Sequence, residues 1–243
     1  MSKTLNYRSH VVDGNAVGDA PVLQNTKHDF SAIIFDMDGL VLDTEKTYRI
    51  AWQQASAEMG DKFTEEFCLS MSGLHYQDVE KRLFDACGID FDLKLFNRLS
   101  GNYWHQYVNQ RGIPVKKGFH NLLTKLNAMK IPFCLATNSR LVNVLECLKL
   151  AGLDDVFSIV VTRDDVKQGK PAPDIFIFAA EALTTPISQC LIVEDSNTGI
   201  QAAAKAGAIS AFIPSIFPVD LTTVDLANYF LNDLDELTQI IHS

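Results

Sequence analysis

Cysteine is scarce in this chain and carries no pattern. Cys68, Cys87, Cys134, Cys147 and Cys190 are scattered, odd in number and without a C-x-x-C spacing. That excludes a disulfide framework and argues against zinc; they read as reduced thiols packed in apolar segments. Long apolar runs are missing too, since none approaches the roughly 18 residues that a membrane-crossing helix needs. The opening MSKTLNYRSH leads into polar sequence, not an apolar signal core, so the cytoplasm is the expected location. Positive charge is in deficit: 21 Lys and Arg stand against 30 Asp and Glu, a net charge of −9. An acidic surface repels nucleic acid at long range, so no nucleic-acid partner is expected. It repels phosphorylated metabolites equally, so a site that takes them must build its own local positive charge. Internal repeats and low-complexity tracts are absent. What remains is ordinary globular composition, 47% apolar over 243 residues, enough for a sizeable core in one large domain or two small ones and expected to work as a monomer.

Residues 1–28 lack clear periodicity and carry Gly, Asn, Asp and Ser. They read as an extension, expected to be mobile, that precedes the fold. From Ser31 the pattern changes. SAIIF is a short β-type run that ends at Asp36, and DMDGLVLD follows as a loop. Residues 45–60 then recur at helical spacing through Tyr48, Ile50, Ala51, Trp52 and Ala55, and Gly60 stops the run. From about 62 to 110 only helical patterns appear. Buried-type strands return at 132–137, 157–161, 190–194 and 209–213, with helical patterns between them. One strand, a helical block and four further β-α units predict an α/β fold. Its form is a Rossmann-like, doubly wound parallel sheet over residues 29–44 and 114–243, with an α-helical cap domain inserted over 45–113. A parallel crossover needs only about a dozen residues, so the helical block exceeds what connection requires. Its two junctions, near Thr44 and Ile113–Pro114, form a natural hinge.

Open α/β sheets bind ligands at the carboxyl ends of their strands. Four such ends here carry chemistry: Asp36 and Asp38 after the first; Thr137, Asn138 and Ser139 after the second; Lys170, in GKPAPD, beyond the third; Glu194 and Asp195 at the fourth. Carboxylates gathered in one cleft repel one another, and a divalent cation relieves that. Oxygen-only donors suit magnesium, completed by waters and a substrate phosphate oxygen. Thr137 offers a hydroxyl donor and Lys170 a point charge for phosphate.

The ordered set DMDGLVLDTE, the Thr137 strand end, the GKPAPD lysine and IVEDSNTGIQAAAKAG resembles the haloacid dehalogenase superfamily over roughly residues 30–215. The likeness is closest to the branch with a helical cap after the first motif, which includes β-phosphoglucomutase and many sugar-phosphate phosphatases. The resemblance implies that Asp36 is the nucleophile that becomes an aspartyl-phosphate, and that Asp38 is the general acid and base. It makes the Asp36 and Asp195 carboxylates and the Asp38 backbone carbonyl magnesium ligands, with Glu194 either a ligand or an acid that orients its neighbours. It assigns Thr137 and Lys170 to the phosphoryl oxygens. Asn138, Arg140, Tyr48 and His75 are candidate contacts to the rest of a small phosphorylated metabolite.

Each residue also has a plainer reading: Lys170 as a solvated loop lysine, Thr137 as a strand end, Tyr48 and Trp52 as packing, His75 as a helix-start residue. Against β-phosphoglucomutase, the cap positions of its arginine and histidine hold Tyr76 and Tyr48 here, which favours a phosphatase over a phosphomutase. Lys117–Gly118 replaces the usual Pro-Gly before the second core helix, a change expected to touch hinge geometry. A non-catalytic receiver-type signalling or phosphate-binding domain is a further alternative. Receivers, however, are about half this length, lack the helical insertion and place their acidic pair first.

Overall fold

The structure is a computed structural model that describes residues 6–12, 15–22, 29–72 and 76–241, as a backbone path alone at 6–12, 15–22 and 76–77. Asn6–Val12 (β1) and Asn15–Val22 (β2) pair antiparallel as a two-stranded sheet of their own, with a register shift between Arg8 and His10. The sequence reading assigned no regular structure there.

The main sheet starts at Ala32–Phe35 (β3), whose side chains alternate between two apolar layers. The chain then leaves through four helices: Thr44–Glu58 (α1), Glu65–Leu69 (α2), Tyr76–Cys87 (α3) and Leu93–Arg111 (α4). It returns through Phe119–Met129 (α5), Phe133–Ala136 (β4), Leu141–Leu150 (α6) and Val160–Val161 (β5). Asp174–Ala182 (α7), Cys190–Glu194 (β6), Asn197–Ala206 (α8) and Ile209–Phe212 (β7) follow. Leu221–Leu226 (α9), Tyr229–Phe230 (β8) and Leu234–Ile240 (α10) complete the fold. The six strands are all parallel, in the order β5-β4-β3-β6-β7-β8. Counted from β3, this is the 3-2-1-4-5-6 order of a doubly wound sheet.

Ile33, Phe35, Leu135, Leu191 and Val193 face a layer built by α5, α6 and α10. Ala32, Ile34, Cys134, Ala136 and Ile192 face α7 and α8. Phe35 is wholly buried, its ring centroid 5.9 Å from that of Phe119, 6.3 Å from Phe133 and 6.4 Å from Phe157. Removing such a ring costs about 3–5 kcal/mol. The expected strand at 157–161 is a correction: only Val160–Val161 pairs, while Phe157 turns into this aromatic cluster. The sheet also has a sixth strand, β8, that two residues are too few to announce by alternation.

The inserted helices enclose their own cluster of Ala55, Cys68, Met71, Leu83, Phe96 and Leu99. They are not cut off from the sheet, because Ala51, Trp104 and Val108 belong to the core cluster beneath β3. The two crossings are tied by backbone bonds, Asp43 N to Pro114 O at 2.8 Å and Lys116 N to Val41 O at 2.9 Å. Lys117 and Gly118 contribute away from that junction. Lys117 Nζ pairs with Asp233 at 2.9 Å, and a Cβ on Gly118 would stand 2.5 Å from the Asp235 nitrogen. They dock α5 on the start of α10.

Candidate active site

The strand order brings the two acidic motifs together. β3 and β6 are neighbours flanking the point where the winding reverses, with Phe35 opposite Val193 and the Asp36 N–H donating to Val193 O at 3.0 Å. Asp36 therefore stands beside Glu194. Carboxylate oxygens of Asp36, Glu194 and Asp195 all lie within 4.8 Å of one another, and the three side chains are buried. The Lys170 ammonium reaches in from the loop after β5. It donates to Asp36 Oδ1, to Glu194 Oε1 at 2.6 Å and to Ala136 O at 2.9 Å, and sits 4.9 Å from the Phe176 ring centroid. On the other flank of Asp36, Thr137 is buried at the end of β4, its hydroxyl oxygen accepting the Ser139 N–H at 3.1 Å.

Once ionised, three carboxylates against one ammonium would leave two negative charges in a buried place, the deficit a divalent cation balances. The electrostatics register it. Burial pushes the Asp36 carboxyl up to about 8; Lys170 pulls against that, and Glu194 and Asp38 add to it. Asp195 is held well above the carboxylate range by burial, then by Glu194 and Asp36, with a Ser215 hydroxyl bond opposing. Burial acts to lower the Lys170 ammonium, but Asp36 and Glu194 outweigh it and keep it charged beyond the usual lysine range. All donors are oxygens, so the set fits a hard cation and not zinc.

Glu194 has both oxygens engaged. Beyond Lys170 on Oε1, Oε2 accepts from the Asp195 and Ser196 amides at 3.0 Å each and from the Ser196 hydroxyl at 2.8 Å. Its carboxylate lies so close to α8 that a Cβ on Gly199 would fall 1.8 Å from Glu194 Cδ. Gly39 plays the same part across the cleft: φ is +83°, and a Cβ there would meet Asp195 Oδ2 at 2.0 Å. Around it the chain doubles back, with Gly39 N to Leu42 O at 2.8 Å and Leu42 N to Met37 O at 2.9 Å.

That turn aims Asp38. Its carboxylate accepts from the Thr44 hydroxyl and the Ser139 hydroxyl, each at 2.8 Å. One donor opens the first inserted helix; the other follows Thr137 in the core. Neither was singled out by sequence for this role, although Ser139 stands in the TNS run. Ser215, on the loop after β7, was missed altogether; a lone serine in an unpatterned loop gives no signal.

The outer candidates fare differently. Tyr48 lies between two tryptophans, its ring stacked on Trp104 at 5.5 Å and on Trp52 at 6.3 Å. Burial first, then the charges of Asp38, Cys147 and Glu146, push its phenol above the ordinary tyrosine range. Arg140, expected near a polar substrate tail, is exposed and paired: its Nε bonds Asp164 at 3.2 Å, and Asp164 also caps α6 through the Leu141 N–H at 3.0 Å. The Asn138 amide, expected to meet substrate, is engaged by the Lys170 backbone. His75 lies outside the described residues.

Comparison with known proteins agrees with this geometry. The family described as haloacid dehalogenase-like hydrolase matches residues 33–213. A Drosophila melanogaster protein named "Probable pseudouridine-5'-phosphatase" is 32% identical over 198 residues, 74% of this chain and 80% of that protein. A Thermotoga maritima protein named "Phosphorylated carbohydrates phosphatase" is 29% identical over 176 residues, 72% of this chain and 81% of that protein. Among solved structures, a HAD family hydrolase from Deinococcus radiodurans with bound phosphate and sodium superposes with a TM-score of 0.74 at 25% identity, covering 87% of this chain and 97% of that one. With the matched region running from the first core strand to just past the fifth, the chain belongs to the haloacid dehalogenase-like hydrolase family.

Proposed function

We propose that this chain is a magnesium-dependent phosphatase that hydrolyses a small phosphorylated metabolite, a sugar phosphate by type, through an aspartyl-phosphate on Asp36. The observation that carries this reading is the buried cluster of Asp36, Glu194, Asp195 and Lys170 at the winding reversal, whose carboxylates, once ionised, exceed the one ammonium by two charges. Asp36 and Asp195 would hold Mg²⁺ with the Asp38 backbone carbonyl, while Glu194 supplies charge and anchors Lys170. Bound there, the cation would neutralise phosphoryl oxygens and allow two like charges to approach.

The chain's own groups do the rest. A free Asp36 oxygen attacks phosphorus in line; the bond to the leaving oxygen breaks, and Asp38 gives that oxygen its proton. Asp38 then takes a proton from the water that attacks the aspartyl-phosphate, restoring Asp36 and releasing phosphate. Thr44 and Ser139 hold Asp38 through hydroxyls that can rotate as its proton comes and goes. Lys170 fixes Asp36 and offsets the growing charge, and the Thr137 hydroxyl faces the phosphoryl oxygens. Residues 45–113 act as the cap over a core of 29–44 and 114–243, and Tyr48 presents its hydroxyl to the leaving group.

Hydrolysis is favoured over phosphoryl transfer between two positions of one sugar because Tyr76 and Tyr48 stand where β-phosphoglucomutase carries its cap arginine and histidine. The names of the two phosphatase relatives support the same choice. Among the described residues no helix is long and apolar enough to cross a membrane. A phosphate-release screen over sugar phosphates and nucleotides, β-glucose 1-phosphate included, tests the reading. Free phosphate from at least one sugar phosphate is expected; glucose 6-phosphate formed without free phosphate would establish a mutase instead.

A further inference from the structure

Lys170 sits in an irregular loop, yet its ammonium must meet Asp36 and Glu194 within a few tenths of an ångström. The loop is held at its flanks. The Arg163 guanidinium donates to Val166 O at 2.7 Å and Lys167 O at 3.2 Å, Ala172 N to Gly169 O at 2.9 Å, and Lys205 Nζ to Pro171 O at 2.8 Å. At Lys170 itself one side chain holds both backbone groups: Asn138 Oδ1 accepts the Lys170 N–H at 2.8 Å, and Asn138 Nδ2 donates to the Lys170 carbonyl at 3.1 Å. The pairing allows one amide orientation only, since a flip would set donor against donor and acceptor against acceptor. It also needs a bare neighbour, because a Cβ on Gly169 would lie 2.5 Å from Asn138 Oδ1. The other end of the lysine is tied to the same strand end, Nζ to Ala136 O at 2.9 Å. The carboxyl end of β4 thus grips Lys170 by its backbone and by its tip.

We propose that Asn138 is a positioning residue that fixes Lys170 against Asp36, and not a contact to substrate. The proposal rests on the phosphatase reading of the site. Its side chain is exposed at the cleft, but both halves of the amide are engaged by the loop.

The test is a double-mutant cycle with p-nitrophenyl phosphate and Mg²⁺. Asn138→Ala is expected to lower kcat about 10–100-fold, the usual effect of losing a group that orients a site residue, with KM little changed. In the Lys170→Ala background the same change should have no further effect. Asn138→Asp keeps the acceptor for the Lys170 N–H but sets a carboxylate oxygen against the Lys170 carbonyl, and should lower kcat at least as much as Asn138→Ala. A raised KM, or a full effect that persists without Lys170, would mark a direct substrate contact and overturn the proposal. Should the wild-type chain hydrolyse no phosphate ester, the phosphatase reading fails on its own. A crystal structure of Asn138→Ala then decides the matter: Lys170 Nζ displaced from Asp36 and Ala136 supports the proposal, and an unmoved lysine refutes it.

Discussion

At the scale of single residues, absent side chains matter as much as charged ones. Glu194 can lie against α8 only because Gly199 lacks a Cβ. Gly199→Ala should cost about 1–3 kcal/mol of stability through overpacking and reduce turnover by at least about tenfold as Glu194 shifts from Lys170; urea unfolding and phosphate release measure the two. Ser139→Ala removes one of two hydroxyls on Asp38 and should lower kcat about tenfold, a typical share of a hydrogen bond to a charged group, with metal affinity unchanged by titration calorimetry. The titrations give a sign. Asp36, raised to about 8, and Asp195, also raised, bind protons in the folded chain that the unfolded chain has already released above the usual carboxylate range. Without a cation, stability therefore falls as pH rises from about 4 to about 8. Thermal melting in chelator should give a lower Tm at pH 8 than at pH 6, and added Mg²⁺ should raise the pH 8 value most. Asp233, lowered by its bond to Lys117, acts oppositely, and its contribution is lost only as pH falls below the usual aspartate range. Sequence made Asp36, Asp38, Lys170 and Asp195 legible because each follows a strong strand or a distinctive loop. The partners of Asn138 and Arg140, the Lys170 backbone and Asp164, were not legible, since a polar residue beside a catalytic one looks alike whether it faces the substrate or braces its neighbour.

At the scale of elements, legibility followed length. The four-residue strand β3 and the long helix α4 stand out by periodicity, as do β6 and α8. β5 and β8, two residues each, and α2, five residues, fall below the span over which alternation or helical spacing can be counted. Helix α1 links cap and chemistry: it opens with Thr44 on Asp38 and, one turn on, Thr47 accepts the Trp104 indole N–H at 2.9 Å. The chain has two tryptophans, Trp52 and Trp104, and both stack on Tyr48. Their emission should therefore report on the cleft. Vanadate with Mg²⁺ is expected to shift the fluorescence of the wild type, and Tyr48→Ala should abolish most of that shift; a response unaltered in the variant would separate α1 from substrate binding.

At the scale of the whole molecule, the site exists because of strand order. Asp36 and Asp195 are far apart in sequence, and only the placement of β3 beside β6 makes their carboxylates neighbours. Periodicity indicated a parallel sheet and the ordered motifs a doubly wound one, whereas the order of its strands is read from the structure. On the proposed function, an acidic protein with a net charge of −9 would meet a phosphorylated substrate at this interior place, where the lysine and a bound cation would reverse the sign of the field. The central claim is covalent phosphorylation of Asp36, and mass spectrometry tests it most directly. Asp38→Asn protein incubated with Mg²⁺ and p-nitrophenyl phosphate, then quenched in acid and digested, should carry one phosphoryl group on the peptide containing Asp36. The adduct should vanish in alkali and be absent from the Asp36→Asn protein. A phosphoryl group on another residue, or brisk hydrolysis by Asp36→Asn protein, would contradict the account.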